Sequence, residues 1–274
     1  MPDFWVPDMD KAGILKKIIN DNYDEKLIIG KALDKAAAAL KSFQSSFTDF
    51  FDPVRAAALK ELLEKEVGKD NLKIALYAGF MEGERQMIGF FSCYDEVDYS
   101  AFPIECLEIS FNEKYYSPPT HRDYLGSILG LGLTRERIGD IVLQEGRALC
   151  FVKSENADFI CESLKRVGRA SVNVKKITKE QICISTEPKE EISITVASLR
   201  LDVVLSGAFK LSRSKVSDLI ENGRAFVNWK EIKSTSRPVS EGDIITLRGS
   251  GRIKLLEIGG VTKKGKTVIK VGIY

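Results

Sequence analysis

The chain is poor in the residues that most catalytic and metal chemistry draws on. It has a single histidine, His121. A zinc site built on paired histidines is therefore excluded, and any Ser-His-Asp arrangement has to use that one ring. Its five cysteines, at positions 93, 106, 150, 161 and 183, include no Cys-x-x-Cys pair. An odd count without metal-ligand spacing points to reduced, mostly buried thiols. No metal and no cofactor is expected. No apolar run approaches the ~20 residues that span a bilayer, so no membrane span is expected. The stretch Met1–Asp10 is acidic and broken by proline, unlike a secretory leader. The expected location is the cytoplasm.

What is present fits an ordinary globular protein. The chain has 274 residues, 44% hydrophobic and 29% charged. That length predicts two or three domains. The net charge of +2 hides an asymmetry. From Ile192 to Tyr274 there are 15 Lys and Arg against 7 Asp and Glu. The remainder has 26 basic and 32 acidic residues. A basic tail on an acidic body is the footprint of a polyanion binder, although charge alone also fits a solvated surface.

The hydrophobic period divides the chain. Ile14, Leu15, Ile18 and Ile19 recur at helical spacing, and a second helix is expected from Glu25 to Phe43. Asp52 and Pro53 predict the start of a third, which Gly68 ends after Val67. From Leu72 the period shortens to that of strands. Strands are expected near Ile74–Ala78, Gln86–Ser92, Ile104–Phe111, Ile138–Leu143, Arg147–Val152, Ser171–Ile177 and Ile182–Thr186. Helices are expected over His121–Leu131 and Asn156–Val167. The polar stretch Thr186–Glu191 reads as a linker. The expected fold class is α+β. It comprises an N-terminal helical domain (1–71), a central antiparallel RRM-like α+β domain (72–187) and a C-terminal module (192–274) with two helices on a small sheet.

Within that module, ISITV reads as a strand. Ser212 is a helix N-cap, Val216, Leu219 and Ile220 form an apolar stripe, and Gly223 is a stop. Trp229-Lys230-Glu231 reads as a turn. The segments RLDVVL, SRSKVSDLIENGRAFVN and VSEGDIITLRGSGRIKL stand in this order and spacing. They resemble the RNA-binding domain named after small-subunit ribosomal protein four, the S-four domain. One departure is Trp229, where many such domains have glycine after Val-Asn. The resemblance implies RNA contacts at Arg200, Ser212, Arg213, Lys215, Arg224, Lys230 and Lys233, with Arg248, Arg252 and Lys254 as secondary candidates. Arg200 has a competing use, pairing with Asp202 or Glu221. Lys263, Lys264 and Lys266 read as a solvated turn. Such a domain reads RNA through shape, phosphates and sugar hydroxyls, so binding is expected to be salt-sensitive.

The stretch THRDYLGSILGLGLTRERIGDI (120–141) is the most distinctive one outside the tail. Taken with FTDFFDP (47–53), Val-Asn-Trp-Lys and the C-terminal module, it resembles the YlmH family of bacterial and plastid RNA-binding proteins. That resemblance covers nearly the whole chain. It implies a ribosome-associated protein that binds rRNA and tRNA on stalled or split large subunits, in quality control or rescue. It also implies a link to cell-division proteins, through gene neighbourhood alone. Arg122, Arg135 and Arg137 are candidates for a second RNA surface, with a solvated loop as the alternative for the last two.

Three enzyme signatures fail. His121-Arg122-Asp123 matches the start of a kinase catalytic loop, but no Asn stands five residues later and no Asp-Phe-Gly follows. Here His121 and Asp123 are expected to cap a helix. Gly126, Gly130 and Gly132 do not fit GxGxxG, and are expected to let that helix pack closely and end. Arg200-Leu201-Asp202 matches the catalytic setting of pseudouridine synthases, but it lies inside the S-four segment itself. No catalytic residue is expected. The alternatives are an RNA-modifying, pseudouridine-synthase-like enzyme with its site in 72–187, or a cell-division adaptor that also binds RNA.

Overall fold

The computed structural model describes Gly13 and residues 23–68, 71–81, 83–184, 188 and 190–274. The helix expected around Ile14–Ile19 lies outside these residues. The chain divides into two units, Met1–Ile184 and Ser185–Tyr274. Among the described residues no helix is long and apolar enough to cross a membrane.

The first unit opens with α1 (Tyr23–Ser42), whose alanine-rich stripe buries Ala32, Leu33, Ala36 and Ala39. Small side chains at helical spacing let it lie close to its neighbours. After β1 (Ser46–Phe47), α2 (Pro53–Val67) starts where Asp52 accepts the N–H of Arg55 at 3.1 Å. It stops at Gly68, whose φ of 83° few other residues adopt. Next come β2 (Leu72–Tyr77) and β3 (Met87–Ser92), which complete an antiparallel sheet ordered β1-β3-β2. Leu72, Ile74, Ile88 and Phe90 pack on α1 and α2. Phe91 and Met87 pack with Phe50, Ala75 and Phe102 on the other side. The helices and the first strands thus share a core that runs across the change of period at position 72. Burial on both faces explains why β3 reads as one continuous apolar run.

The rest of the unit is β4 (Ile104–Phe111), α3 (His121–Leu129), β5 (Ile138–Gln144), β6 (Arg147–Lys153), α4 (Ser154–Ser163), β7 (Arg166–Val167) and β8 (Ala170–Ile177). The strands are ordered β5-β6-β4-β8-β7, every pairing antiparallel. This is the βαββαβ order of the RRM-like expectation, with the first strand central. Alternation along the strands sends Leu107, Ile109, Cys150 and Val152 towards α3 and α4. Cys106, Leu149, Phe151 and Ile177 face the other way.

That second face is covered. The Phe80 ring stacks on Phe151, centroids 4.7 Å apart, and Ile182 and Ile184 lie beside it. Gly79 allows this approach: its φ is 96°, and a β carbon there would stand 2.5 Å from the Phe151 ring. The strand expected at Ile182–Thr186 is absent over 182–184, where the chain is irregular, and its last residues lie outside the described set. The helix expected to reach Val167 ends at Ser163, because Arg166 and Val167 turn back through Gly168 (φ 56°) into β8. Burial pushes the Cys106 thiol up to about 12 and raises that of Cys150 as well, so neither is a thiolate near neutral pH.

Arg85 joins the two sheets. Its guanidinium donates to the carbonyls of Phe50 (3.2 Å), Arg135 (3.2 Å) and Ile138 (3.0 Å). The Asp140 carboxylate accepts the backbone N–H groups of Glu84 (2.6 Å) and Arg85 (3.2 Å). Burial nonetheless raises the Asp140 carboxyl to about 6. Between its unfolded pKa of about 4 and that value the folded state holds the extra proton, so this group's contribution to stability falls as pH rises from about 4 to about 6. Asp140→Asn is expected to flatten that part of the Tm–pH curve, a change on the order of 2 kcal/mol across the window. Parallel wild-type and D140N curves in thermal melts from pH 4 to 7 would contradict it.

The second unit contains β9 (Glu190–Val196), α5 (Leu201–Phe209), α6 (Arg213–Glu221), β10 (Ala225–Val227), β11 (Lys230–Ile232), β12 (Ile244–Leu247), β13 (Gly251–Val261) and β14 (Thr267–Ile273). Its antiparallel sheet is ordered β11-β10-β12-β13-β14-β9. Val204, Leu205, Val216 and Ile220 of the helices pack on Val227, Ile245, Leu247 and Leu255.

Candidate nucleic-acid interface

The site is built where α5 and α6 begin. The backbone supplies the caps of α5: Leu201 N–H donates to the Arg237 carbonyl (2.8 Å) and Asp202 N–H to that of Thr235 (3.2 Å). The Asp202 side chain is therefore not spent on its own helix. It is 3% exposed and accepts three charge-assisted bonds. Arg200 Nε lies 3.0 Å from Oδ1, a second Arg200 nitrogen 3.2 Å from Oδ2, and an Arg213 nitrogen 2.8 Å from Oδ2. Burial acts to raise the Asp202 carboxyl, but the bonds from Arg213 and Arg200 outweigh it and hold the pKa below the usual carboxylate value. Of the two alternative partners for Arg200, the structure shows Asp202.

The two guanidinium groups keep solvent-facing edges, with side chains 43% and 59% exposed for Arg200 and Arg213. Lys210, left-handed at φ 52°, ends α5, and Leu211 links it to the Ser212 cap of α6. The Ser212 oxygen accepts the Lys215 N–H at 3.3 Å, which leaves the hydroxyl proton as a donor. Exposed Ser212, Arg213 and Lys215 thus surround a helix N-terminus, whose first N–H groups and dipole favour an anion.

The other expected contacts lie elsewhere on this unit. Phe226, Thr246 and Arg252 form one cross-strand row, alternate to Ala225 and Leu247, which face the helices. Arg252 and Lys254 are therefore on the sheet face away from α5 and α6. The Arg248 guanidinium sits over the Phe226 ring, 4.4 Å from its centroid. Arg224 is exposed beside it, its carbonyl accepting the Arg248 N–H at 2.9 Å. Lys230 opens β11, and Lys233 lies 3.4 Å from Glu231. The ten expected residues thus form a helix-start group (Arg200, Ser212, Arg213, Lys215) and a sheet group, not one patch. The cation–π contact between Arg248 and Phe226 carries no local sequence signal.

The turn expected at Trp229–Glu231 lies one residue earlier. Asn228 and Trp229 are its two central residues, at φ 48° and 63°, between paired Val227 and Lys230. This is the geometry of a type I′ hairpin turn, which the twist of adjacent strands selects. Asn228 fits it and ties the turn down, donating to Asp243 (2.7 Å) and accepting the Ile244 N–H (3.0 Å). Trp229 takes the position that glycine suits, at about 1 kcal/mol or more.

In the first unit the three arginines part company. Arg122 is exposed in the first turn of α3. Arg135 turns inward and donates to the carbonyls of Ile138 (2.6 Å) and Gly139 (3.1 Å). Burial lowers its pKa. Arg137 pairs with Asp49 at 3.2 Å and with Glu155. The three side chains are thus used differently: Arg122 faces solvent, Arg135 holds backbone carbonyls and Arg137 pairs with acids. His121 is not a cap: Thr120 and Asp123 form a reciprocal capping box, and His121 is the first helical residue. Gly126 has open space where a β carbon would stand, so it makes no close packing contact, while Gly132, at φ 90°, does turn the chain after the helix. Lys165, Arg166 and Arg169, exposed around the β7–β8 turn, were marked by no motif.

Comparisons with known proteins match two stretches of the chain. A family model described as a putative RNA-binding domain in YlmH matches residues 98–181, and the S4 domain model matches 199–245. The ribosome-associated protein quality control protein P2 of Bacillus subtilis (strain 168) is 33% identical over 243 residues, covering 89% of this chain and 93% of the relative. A solved structure described as cell division protein ylmH from Streptococcus pneumoniae aligns at 23% identity with a TM-score of 0.48, covering 60% of this chain and 98% of that one.

Proposed function

The chain belongs to the YlmH family, and from that premise we propose that it is a non-catalytic, cytoplasmic protein that docks on structured rRNA and tRNA at the large ribosomal subunit, in quality control or rescue of stalled subunits. The observation that carries this reading is the pair Arg200 and Arg213, held by buried Asp202 at the start of α6. A carboxylate that fixes two guanidinium groups before RNA arrives reduces the entropy lost on binding. Their free edges match the bidentate geometry of phosphate. The name of the Bacillus subtilis relative supports the ribosomal setting.

The burial of Asp202 also supports a positioning role over a catalytic one. An Asp that acts on a base needs a pocket that admits a flipped nucleotide. Asp202 instead has its oxygens occupied by arginine at 2.8–3.2 Å. Ultraviolet crosslinking in cells, with sequencing of the RNA bound to the protein, tests the proposal. Reads concentrated in large-subunit rRNA and tRNA are the expected result; reads spread over messenger RNA count against it. Mass spectrometry of rRNA with and without the gene addresses catalysis, and a missing modification restored by the wild-type chain would overturn the non-catalytic reading.

A further inference from the structure

RRM-type domains bind single strands across the open face of the sheet, where aromatics on the two central strands stack bases. That face is closed here: Phe151 is 1% exposed and Leu149 fully buried, beneath Phe80, Ile182 and Ile184. If the central sheet domain holds RNA, another surface has to do it. The turn after β7 and the loop before α3 border a cleft of about 610 Å³. Tyr115, Tyr116, Pro118, Asp123, Gly168 and Arg169 line it. Tyr115 is 77% exposed, a large aromatic left in water with no partner ring described.

The charge around this cleft differs from that of the neighbouring sheet. Several cations on the sheet itself are paired: Arg147 and Lys175 with Glu108, Lys176 with Asp158, Lys153 and Arg137 with Asp49. Arg169 lines the cleft, and Arg122 and Arg166 adjoin its lining residues Asp123 and Val167 in sequence; these three and Lys165 are exposed, and among the described residues none forms an ion pair. The carboxylate in the cleft, Asp123, uses Oδ2 for the Thr120 N–H (2.8 Å) and hydroxyl (2.7 Å), which hold its pKa down. An acid on the floor repels a bare phosphate but accepts a hydrogen bond from the amino group of an unpaired base. Four unpaired cations around an aromatic and an acceptor suit a polyanion whose bases are free.

We propose that this cleft is a second RNA site, specific for single strands: a base stacks on Tyr115, its amino group meets Asp123, and flanking phosphates rest on Arg166 and Arg169. The proposal takes the polymer from the RNA-binding reading above, but places it on a surface independent of the S-four module. Fluorescence anisotropy on the full chain tests it, with a labelled 12-nucleotide oligocytidine and a labelled RNA hairpin. Arg166→Glu with Arg169→Glu is expected to weaken oligocytidine at least tenfold and to reduce its log–log salt slope by about 1.4, the effect of two lost phosphate contacts on a single strand. Tyr115→Ala is expected to cost about tenfold, as loss of one stacked base does, with the salt slope unchanged. Hairpin binding is expected to stay within twofold in both. Oligocytidine affinity unchanged by these variants, or abolished by Arg213→Glu with Lys215→Glu, overturns the second site. Failure of the wild-type chain to bind either RNA counts instead against the RNA-binding reading as a whole.

Discussion

Reversing the charge at Arg213 and Lys215 is expected to abolish cosedimentation with ribosomal subunits at low salt. Both side chains are exposed and stand at the first turn of α6. Each charge-assisted contact is worth about 1.5–3 kcal/mol, so losing two lowers affinity by at least about 100-fold. Placing two carboxylates at a helix N-terminus adds repulsion to the loss. The fold is expected to survive, because Asp202 retains both bonds from Arg200. A companion variant with glutamine at both positions avoids crowding Asp202 with a second acid, and separates lost binding from lost stability. With about six phosphates neutralised, wild-type affinity should fall by roughly three decades between 50 and 200 mM salt. Undiminished cosedimentation of both variants, or a flat salt response, would remove the helix-start group from the interface.

Phe151→Ala is expected to destabilise the first unit by about 3–5 kcal/mol. The ring is almost wholly buried, stacked on Phe80 and bordered by Gly79. For a unit of this size that is a fall in melting temperature of roughly 10 °C. The sign of the experiment matters more than its size. On an open RRM face an aromatic at this position would touch RNA, and alanine there would cost affinity with little effect on stability. Chemical denaturation and oligocytidine binding of the same variant decide between the two. A loss below about 1 kcal/mol would contradict a closed face.

Local signals were the ones legible in the residues. Asp52-Pro53 and Gly68 bound α2, and Ser212 and Gly223 bound α6, because caps depend only on neighbours a few positions away. The helix-start group was legible for the same reason: Arg200, Ser212, Arg213 and Lys215 belong to contiguous S-four segments. Tertiary partners carried no such signal. Arg135 and Arg137 resemble free surface cations in the sequence. Their partners are carbonyls set by a sheet joint and, for Arg137, an acid 88 positions away. The closed face depends on Phe80 meeting Phe151, and the shared N-terminal core gathers Leu33 and Phe90 into one cluster; neither pairing has a periodicity to reveal it. The Asn228–Trp229 turn was displaced in the expectation because a tryptophan argues against a positive φ. The strand twist and the Asn228 bonds to Asp243 and Ile244 overrule it.

The joint between the two sheets also sets a timetable for synthesis. Phe50 donates its N–H to the Glu136 carbonyl, and its ring fills the space beside Gly139 and Phe151. These partners emerge from the ribosome up to roughly 100 residues later, about 5–20 s at typical elongation rates. Until then Phe102 can already cover Phe47 and Phe91, but the ring of Phe50 lacks its partners. Nascent chains stalled before Gly139 should therefore leave the Phe50 ring open to chaperones, and chains stalled after Ile184 should not.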